Sequence, residues 1–317
     1  KDYSYPTADS GLGLVPELIS RAHQKNVKVL LSIPGSEQFN PIAGDNRKRA
    51  MFARVMAAFV KKYDYDGIEI DWEHTVDMRQ HTALMADLRE ALNSLKKDDK
   101  SSRKYYLTTA LHSWRKYSSE EAKEVCRYVD WVNVMTYDIG GGIWGKVATH
   151  NTPLDKISKT LRERWSEFPR DRICIGLASY GFYYKGIAPG EKSEVSLKEK
   201  GRYCSYTELP SLLEKGWQES YDTKADAPYY FSPDKSEFIT IENTRSISKK
   251  MEWVFEQQYL GVFWWEFHSD YFPPSEKEKY ASHTLADHVT SLINEHEKPS
   301  RPITPGSNPK NNPEKGN

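Results

Sequence analysis

Three carboxylates fall at alternate positions in the run Asp66-Gly67-Ile68-Glu69-Ile70-Asp71-Trp72-Glu73. On an extended strand, residues of one parity point to one face and the other parity to the opposite face. Ile68, Ile70 and Trp72 then share one face, and Glu69, Asp71 and Glu73 the other. Burying an unpaired carboxylate costs several kcal/mol, so three on one face need a reason. Acid chemistry is one: neighbouring carboxylates disfavour each other's ionisation, and one of the set keeps a proton that it can donate. Two other readings stay open. The run could be an edge strand with a solvated acidic face. It could also be an exposed helical face, although residues two apart do not share one.

The elements that would position this run alternate along the chain. Val15–His23 reads as a short helix with Pro16 in its first turn. Val27–Ile33 is an apolar strand ended by a Pro34-Gly35 turn. Met51, Phe52, Val55, Met56 and Phe59 recur at helical spacing within 46–62, and Leu84, Leu88, Leu92 and Leu95 within 78–95. Strands are predicted at 105–111, 131–137, 173–180 and 261–267, and helices at 120–128, 154–165 and 276–296. Such alternation argues for an α/β fold with a parallel sheet, and the apolar strands suit a sheet covered on both faces. From Tyr184 to Asn243 the rhythm breaks into short strand-like pieces rich in Lys, Glu and Tyr. Residues 298–317 are Pro, Asn, Lys and Gly with almost no apolar side chains, and are expected to be a disordered tail.

The 317 residues, 38% hydrophobic and 28% charged, suffice for one large domain with a real core. The 45 basic and 45 acidic residues balance, so charge points to neither nucleic acid nor an anionic membrane as partner. No apolar run approaches the roughly 18 residues that span a membrane. Cys126, Cys174 and Cys204 have no metal-ligand spacing and allow at most one bridge. His74, His112 and His268 follow strand ends, but their spacing fits no compact metal motif, so neither metal nor cofactor is expected. They are placed at the rim of the site, as are Trp114 and Trp144, for which plain packing is an equal alternative.

The acidic run resembles the signature of glycoside hydrolase family 18, the chitinases and their relatives: Asp-Gly-x-Asp-x-Asp-x-Glu. Asp66, Gly67, Asp71 and Glu73 match, while Glu69 stands where the family usually has Asp. Further segments resemble the family in order. Val29–Gly35 is similar to its third strand, with Pro34 replacing a glycine. Met135-Thr136-Tyr137-Asp138 matches the Met-x-Tyr-Asp motif, and Gly176–Gly181 resembles the seventh strand. Ala227-Pro228-Tyr229 resembles the end of the family's inserted domain. Gly261–Glu266 resembles the eighth strand, whose tryptophan aligns with Trp265.

The resemblance implies a TIM (β/α)8 barrel with its site at the strand C-terminal ends. Only six barrel strands are counted, and the acidic run lies on the second where the family has it on the fourth. The chain is therefore expected to lack the first two strands. Residues 1–183 would hold barrel strands three to seven, 184–243 a small α+β insertion after the seventh, and 244–297 the eighth strand and terminal helix.

By the same resemblance Glu73 is the general acid, its pKa lifted toward roughly 6 as in other glycosidase acids. Asp71 would hold the acetamido N–H of the substrate and Tyr137 its oxygen, in substrate-assisted retaining catalysis. Trp265 would be the floor under that sugar. Met135, Asp138 and Tyr180 would shape and polarise the pocket. Glu69 would tune Asp71, although its extra methylene could crowd the interior. The implied function is hydrolysis of β-1,4-linked N-acetylglucosamine in chitin or chitooligosaccharides, by a secreted monomer. Alternatives are an endo-N-acetylglucosaminidase or peptidoglycan-active relative, and a chitin-binding lectin without activity. The intact Asp71–Glu73 pair argues against the lectin.

Overall fold

The computed structural model describes residues 13–99, 103–274 and 281–297. The tail expected over 298–317 lies outside them. Eleven strands account for two sheets, in chain order: β1 (Leu30–Gly35), β2 (Gly67–Trp72), β3 (Tyr106–His112), β4 (Trp131–Met135), β5 (Ile173–Ala178), β6 (Tyr180–Lys185), β7 (Gly201–Ser205), β8 (Gln218–Asp222), β9 (Ala227–Phe231), β10 (Glu237–Thr240) and β11 (Gly261–Trp265). Six of them form a parallel sheet in the order β1-β2-β3-β4-β5-β11. Among the described residues no pairing joins β1 to β11.

Register sorts the side chains of this sheet into two layers. Glu69 pairs with Ser32 and Thr108, and Asp71 with Pro34 and Ala110. Ala110 pairs with Asn133, Asn133 with Cys174, and Gly176 with Phe263. These residues share the inner face with Glu69 and Asp71. The outer face carries Ile68, Ile70, Trp72, Leu107, Leu111, Val132, Val134, Ile173 and Ile175, all in one buried cluster with the helices. Ala53, Ala57 and Val60 of helix Asn46–Lys62 belong to that cluster, as do Leu84, Met85, Leu88 and Leu92 of helix Met78–Asp99. Helix starts are chemically marked. Asp45 accepts from the N–H groups of Arg47 and Lys48, and Ser118 and Glu121 form a capping box.

Gly67 of the acidic run is required by close approach. A Cβ there would stand 2.0 Å from the carbonyl oxygen of Tyr106 on the neighbouring strand. Pro34-Gly35, predicted as a turn, instead belongs to β1. β1 is a terminal strand of the described sheet, where a proline costs no ladder hydrogen bond. The last helix, predicted from Glu276, starts at Thr284. Ser282-His283 first pairs with Tyr271-Phe272, and Asp270 Oδ2 then accepts from the N–H groups of Leu285 and Ala286 to open the helix. Residues 275–280 are outside the described set.

The second sheet is antiparallel, in the order β7-β6-β10-β9-β8. It begins at Tyr180, with only Ser179 between it and the end of β5, and packs around Phe182, Tyr184, Leu197 and Phe238. Tyr180 thus belongs to both structures: it leads β6 and faces the end of the parallel sheet. Cys126, Cys174 and Cys204 are all free thiols.

Candidate active site

The three carboxylates climb the inner face from depth to rim. Glu69 lies deepest and accepts from Asn133 Nδ2 at 2.5 Å. Burial pushes its pKa up, against hydrogen bonds from Asn133, Ser32 and Thr108. The longer side chain at this position therefore has three polar partners on β1, β3 and β4. Asp71 is 8% exposed. Its Oδ1 is buried and has no hydrogen-bond partner among the described residues. Burial, then the charges of Glu73 and Glu69, push the Asp71 carboxyl up to about 7. Glu73 follows the strand end, where its N–H donates to Gly35 O at 2.8 Å, and its side chain is 38% exposed. The acid expected to donate is thus the one that reaches the open side.

Tyr137 comes next, just beyond β4. Its ring meets Tyr180 and Phe263 edge-on, each at 6.1 Å between centroids. Gly176 makes room for it: a Cβ there would stand 2.9 Å from Tyr137 Cε1 and 2.9 Å from Val134 O. Burial raises the Tyr137 phenol, and the charges of Asp71, Asp138, Glu69 and Glu73 add to this. The hydroxyl is therefore a neutral donor within the field of all four acids. Asp138 has a left-handed backbone, φ 55°, a strained state for a non-glycine residue. Its N–H donates to Asn151 Oδ1 at 2.6 Å, and its Oδ1 accepts from the Tyr180 hydroxyl at 2.7 Å. Burial raises the Asp138 pKa, the Tyr180 hydrogen bond opposes this, and the charge of Glu73 adds to it.

Trp265 ends β11 on the inner face beside the small Ala178 and is 50% exposed. Its outer neighbour Trp264 packs against the helices with Ile247 and Met251. Asp138, Tyr180 and Trp265 line one cavity of about 280 Å³, with Tyr203, Cys204 and Ser205 of β7 on its wall. Met135 sits buried on the inner end of β4, opposite His112. Exposed aromatics flank the site. Trp114 stacks on His112 at 5.2 Å, and Trp144 donates to Tyr203 OH at 3.3 Å beneath the Lys198 ammonium. His268 lines the cavity and lies 3.3 Å from Glu266.

The residues singled out from the sequence therefore gather at one end of the parallel sheet. Sequence reasoning missed Asn133, Thr108 and Ser32, which share strand parity with Glu69 on neighbouring strands. It also missed Gly176, Phe263, Asn151 and Tyr203, which position the tyrosines and Asp138. For Asn133 and Thr108 the signal was present: a polar residue on the same parity as an acidic ladder in an adjacent apolar strand.

A parallel α/β sheet with a pocket of acids and aromatics at its strand C-terminal ends has its candidate site where β/α-barrel folds carry theirs. The family model "Glycosyl hydrolases family 18" matches residues 8–270, and the chain belongs to that family. Chitinase A1 of Niallia circulans is 25% identical over 288 residues, covering 77% of this chain and 41% of the relative. A family 18 N-acetylglucosaminidase from Paenibacillus barengoltzii superposes with a TM-score of 0.73 at 27% identity, covering 88% of this chain and 86% of that one. The Cycas revoluta chitinase in complex with (GlcNAc)3 gives a TM-score of 0.73 at 20% identity, each chain covered to 83%. The chain spans about half the length of the curated relatives it matches. Among the described residues no helix is long and apolar enough to cross a membrane.

Proposed function

We propose that the chain hydrolyses β-1,4-linked N-acetylglucosamine, in chitin or its oligosaccharides, with retention of anomeric configuration. The observation that carries this reading is the inner-face ladder: a buried Asp71 with an unpartnered oxygen stands between the deep Glu69 and the half-open Glu73. Glu73 donates its proton to the glycosidic oxygen, because a sugar alkoxide leaves too slowly without one. The substrate's own 2-acetamido oxygen, in place of a carboxylate nucleophile, attacks the anomeric carbon. Tyr137 donates to that oxygen and orients it. Asp71, its proton passed to Glu73, takes the acetamido N–H on its free Oδ1 and as a carboxylate offsets the positive charge of the oxazolinium. Glu73, now a carboxylate, activates the water that opens the ring and regains its proton. Trp265 supplies an apolar face under the reacting sugar.

Asp71 is central to proton supply. A carboxyl with a pKa of about 7 holds a proton near neutrality, and its neighbour on the same face is Glu73. The likeness to the Paenibacillus barengoltzii enzyme supports a second reading, an N-acetylglucosaminidase that takes other β-linked N-acetylglucosamine chains. A polymeric substrate outside the cell implies a secreted protein, and the proposed site residues all come from one chain, in keeping with a monomer.

The test is hydrolysis of a chromogenic chitobiose derivative by the native chain and by Glu73→Gln. The amide fills the same space and donates no proton to the leaving oxygen, so kcat should fall by about 10²–10⁴. Oligosaccharide binding by titration calorimetry should persist. Near-native turnover in the variant would remove Glu73 as the acid. Cleavage of cellulose oligomers, which have no acetamido group, would remove substrate assistance.

A further inference from the structure

Glu73 has two imidazoles as close neighbours. His74 follows it with a left-handed backbone, φ 57°. His112 ends β3, the next strand in the sheet. His74 Nε2 lies 3.4 Å from Glu73 Oε2. The two imidazole rings stack at 5.1 Å between centroids. His112 Nε2 accepts a long 3.3 Å hydrogen bond from the His74 N–H, so its lone pair faces this turn. One ligand atom from each of the three side chains lies within 4.8 Å of the other two. Among the described residues no other three His, Cys, Asp or Glu side chains meet that condition.

Two imidazole nitrogens and one carboxylate oxygen are a donor set for zinc-class cations, with bonds of about 2.0–2.2 Å. In a tetrahedron of such bonds neighbouring ligand atoms sit about 3.3–3.5 Å apart. His74 and Glu73 already meet that spacing. Both are partly exposed at the loop after β2, so rotation can bring them toward His112, and the long His74–His112 hydrogen bond is exchanged for a metal bond. Three protein ligands leave a fourth position open to water. We propose that Glu73, His74 and His112 form a binding site for a divalent transition cation, zinc or a close analogue, and that filling it switches the enzyme off. A metal-bound Glu73 carboxylate carries no proton for the leaving oxygen. Magnesium and calcium, which take oxygen ligands, do not fit this donor set.

The binding half of the proposal stands on the geometry alone, and the inhibition half rests on the function proposed above. The whole chain is freed of metal with a chelator, then titrated with zinc chloride by calorimetry and with cobalt chloride by visible absorption. One equivalent of zinc should bind, cobalt should give the intense band of a tetrahedral or five-coordinate site, and magnesium should give no heat. His74→Gln and His112→Asn, each checked for native circular dichroism, should weaken zinc at least about tenfold, as loss of even an outer partner of a metal site does. Zinc saturation should lower chitobioside hydrolysis at least about 100-fold, the share a general acid supplies, and a chelator should restore it. Absence of stoichiometric zinc binding overturns the site. So does binding that neither variant weakens. Tight binding with unchanged hydrolysis overturns the switch. A chain inactive with and without metal overturns the proposed function instead and leaves the titrations to decide the site.

Discussion

Replacing Asp71 by Asn tests the electrostatic origin of the site more directly than any loss of activity. Burial and the charges of Glu73 and Glu69 move this carboxyl from an ordinary 3.8 up to about 7. The folded chain therefore holds a proton between these two values that the unfolded chain has released. Stability falls as pH rises through that window, and above about 7 the full cost of the buried charge is in place. At 1.36 kcal/mol for each pH unit between the two values, the cost approaches about 4 kcal/mol. Relaxation and water entry on charging reduce it, so about 2–4 kcal/mol is the working range. Asparagine cannot ionise. Asp71→Asn should match the native chain to within about 1 kcal/mol at pH 4 and exceed it by about 2–4 kcal/mol at pH 8. Urea unfolding followed by tryptophan fluorescence at both values measures this. Titrating groups remote from Asp71 are common to both proteins and cancel in the difference. A constant offset between the two across pH 4–8 would show that Asp71 ionises normally in the fold and would remove its place in proton supply.

Two further outcomes are expected. Gly176→Ala puts a Cβ 2.9 Å from both Tyr137 Cε1 and the backbone oxygen of Val134; displacing the tyrosine by about 1 Å should lower kcat about 10–100-fold on the chromogenic substrate, while far-ultraviolet circular dichroism stays native. Lys250 Nζ and Glu242 Oε1 lie 2.7 Å apart in a fully buried pair; Lys250→Met should cost about 3–5 kcal/mol in urea unfolding, and adding Glu242→Gln should recover most of it.

The sheet was legible because its chemistry is periodic. Ile68, Ile70 and Trp72 against Glu69, Asp71 and Glu73 gave the strand and its two faces, and the structure keeps that split. The six expected barrel strands correspond to β1–β5 and β11, with ends shifted by at most three residues. Pro34 was misread because a proline is neutral in a terminal strand and forbidden only in a central one. The late start of the last helix was hidden because Asp270, which opens it through Leu285 and Ala286, lies far back in the chain. The same holds at the site. Glu73, Tyr137 and Trp265 each lie at a recognisable strand end. The meeting of His74 with His112, and of Tyr180 with Asp138, depends on register between strands, which local spacing does not encode.

The distribution of acids along the strands separates what holds the fold from what the fold is for. Asp66, just before β2, accepts from Val29 N and His23 at 2.8 Å and pairs with Arg103 at 3.1 Å. Burial works to raise its pKa, but these partners outweigh it and hold it low. Asp130, just before β4, pairs with Arg89 at 2.6 Å and Lys104 at 2.7 Å, and is likewise held low against its burial. Both stand at strand N-terminal ends, the face of such a barrel that serves stability. Glu69, Asp71 and Asp138 stand on the inner face or at the opposite ends. Among the described residues none has a lysine or arginine within 4.0 Å, and all three are shifted up. The chain has 45 lysines and arginines, and none of those described stands beside these three acids. A guanidinium beside Asp71 would remove the cost of its charge and with it the proton. For the proposed acid chemistry, the lack of a cation beside these three acids among the described residues is a requirement, and the paired acids at the other end help to hold the strands that present them.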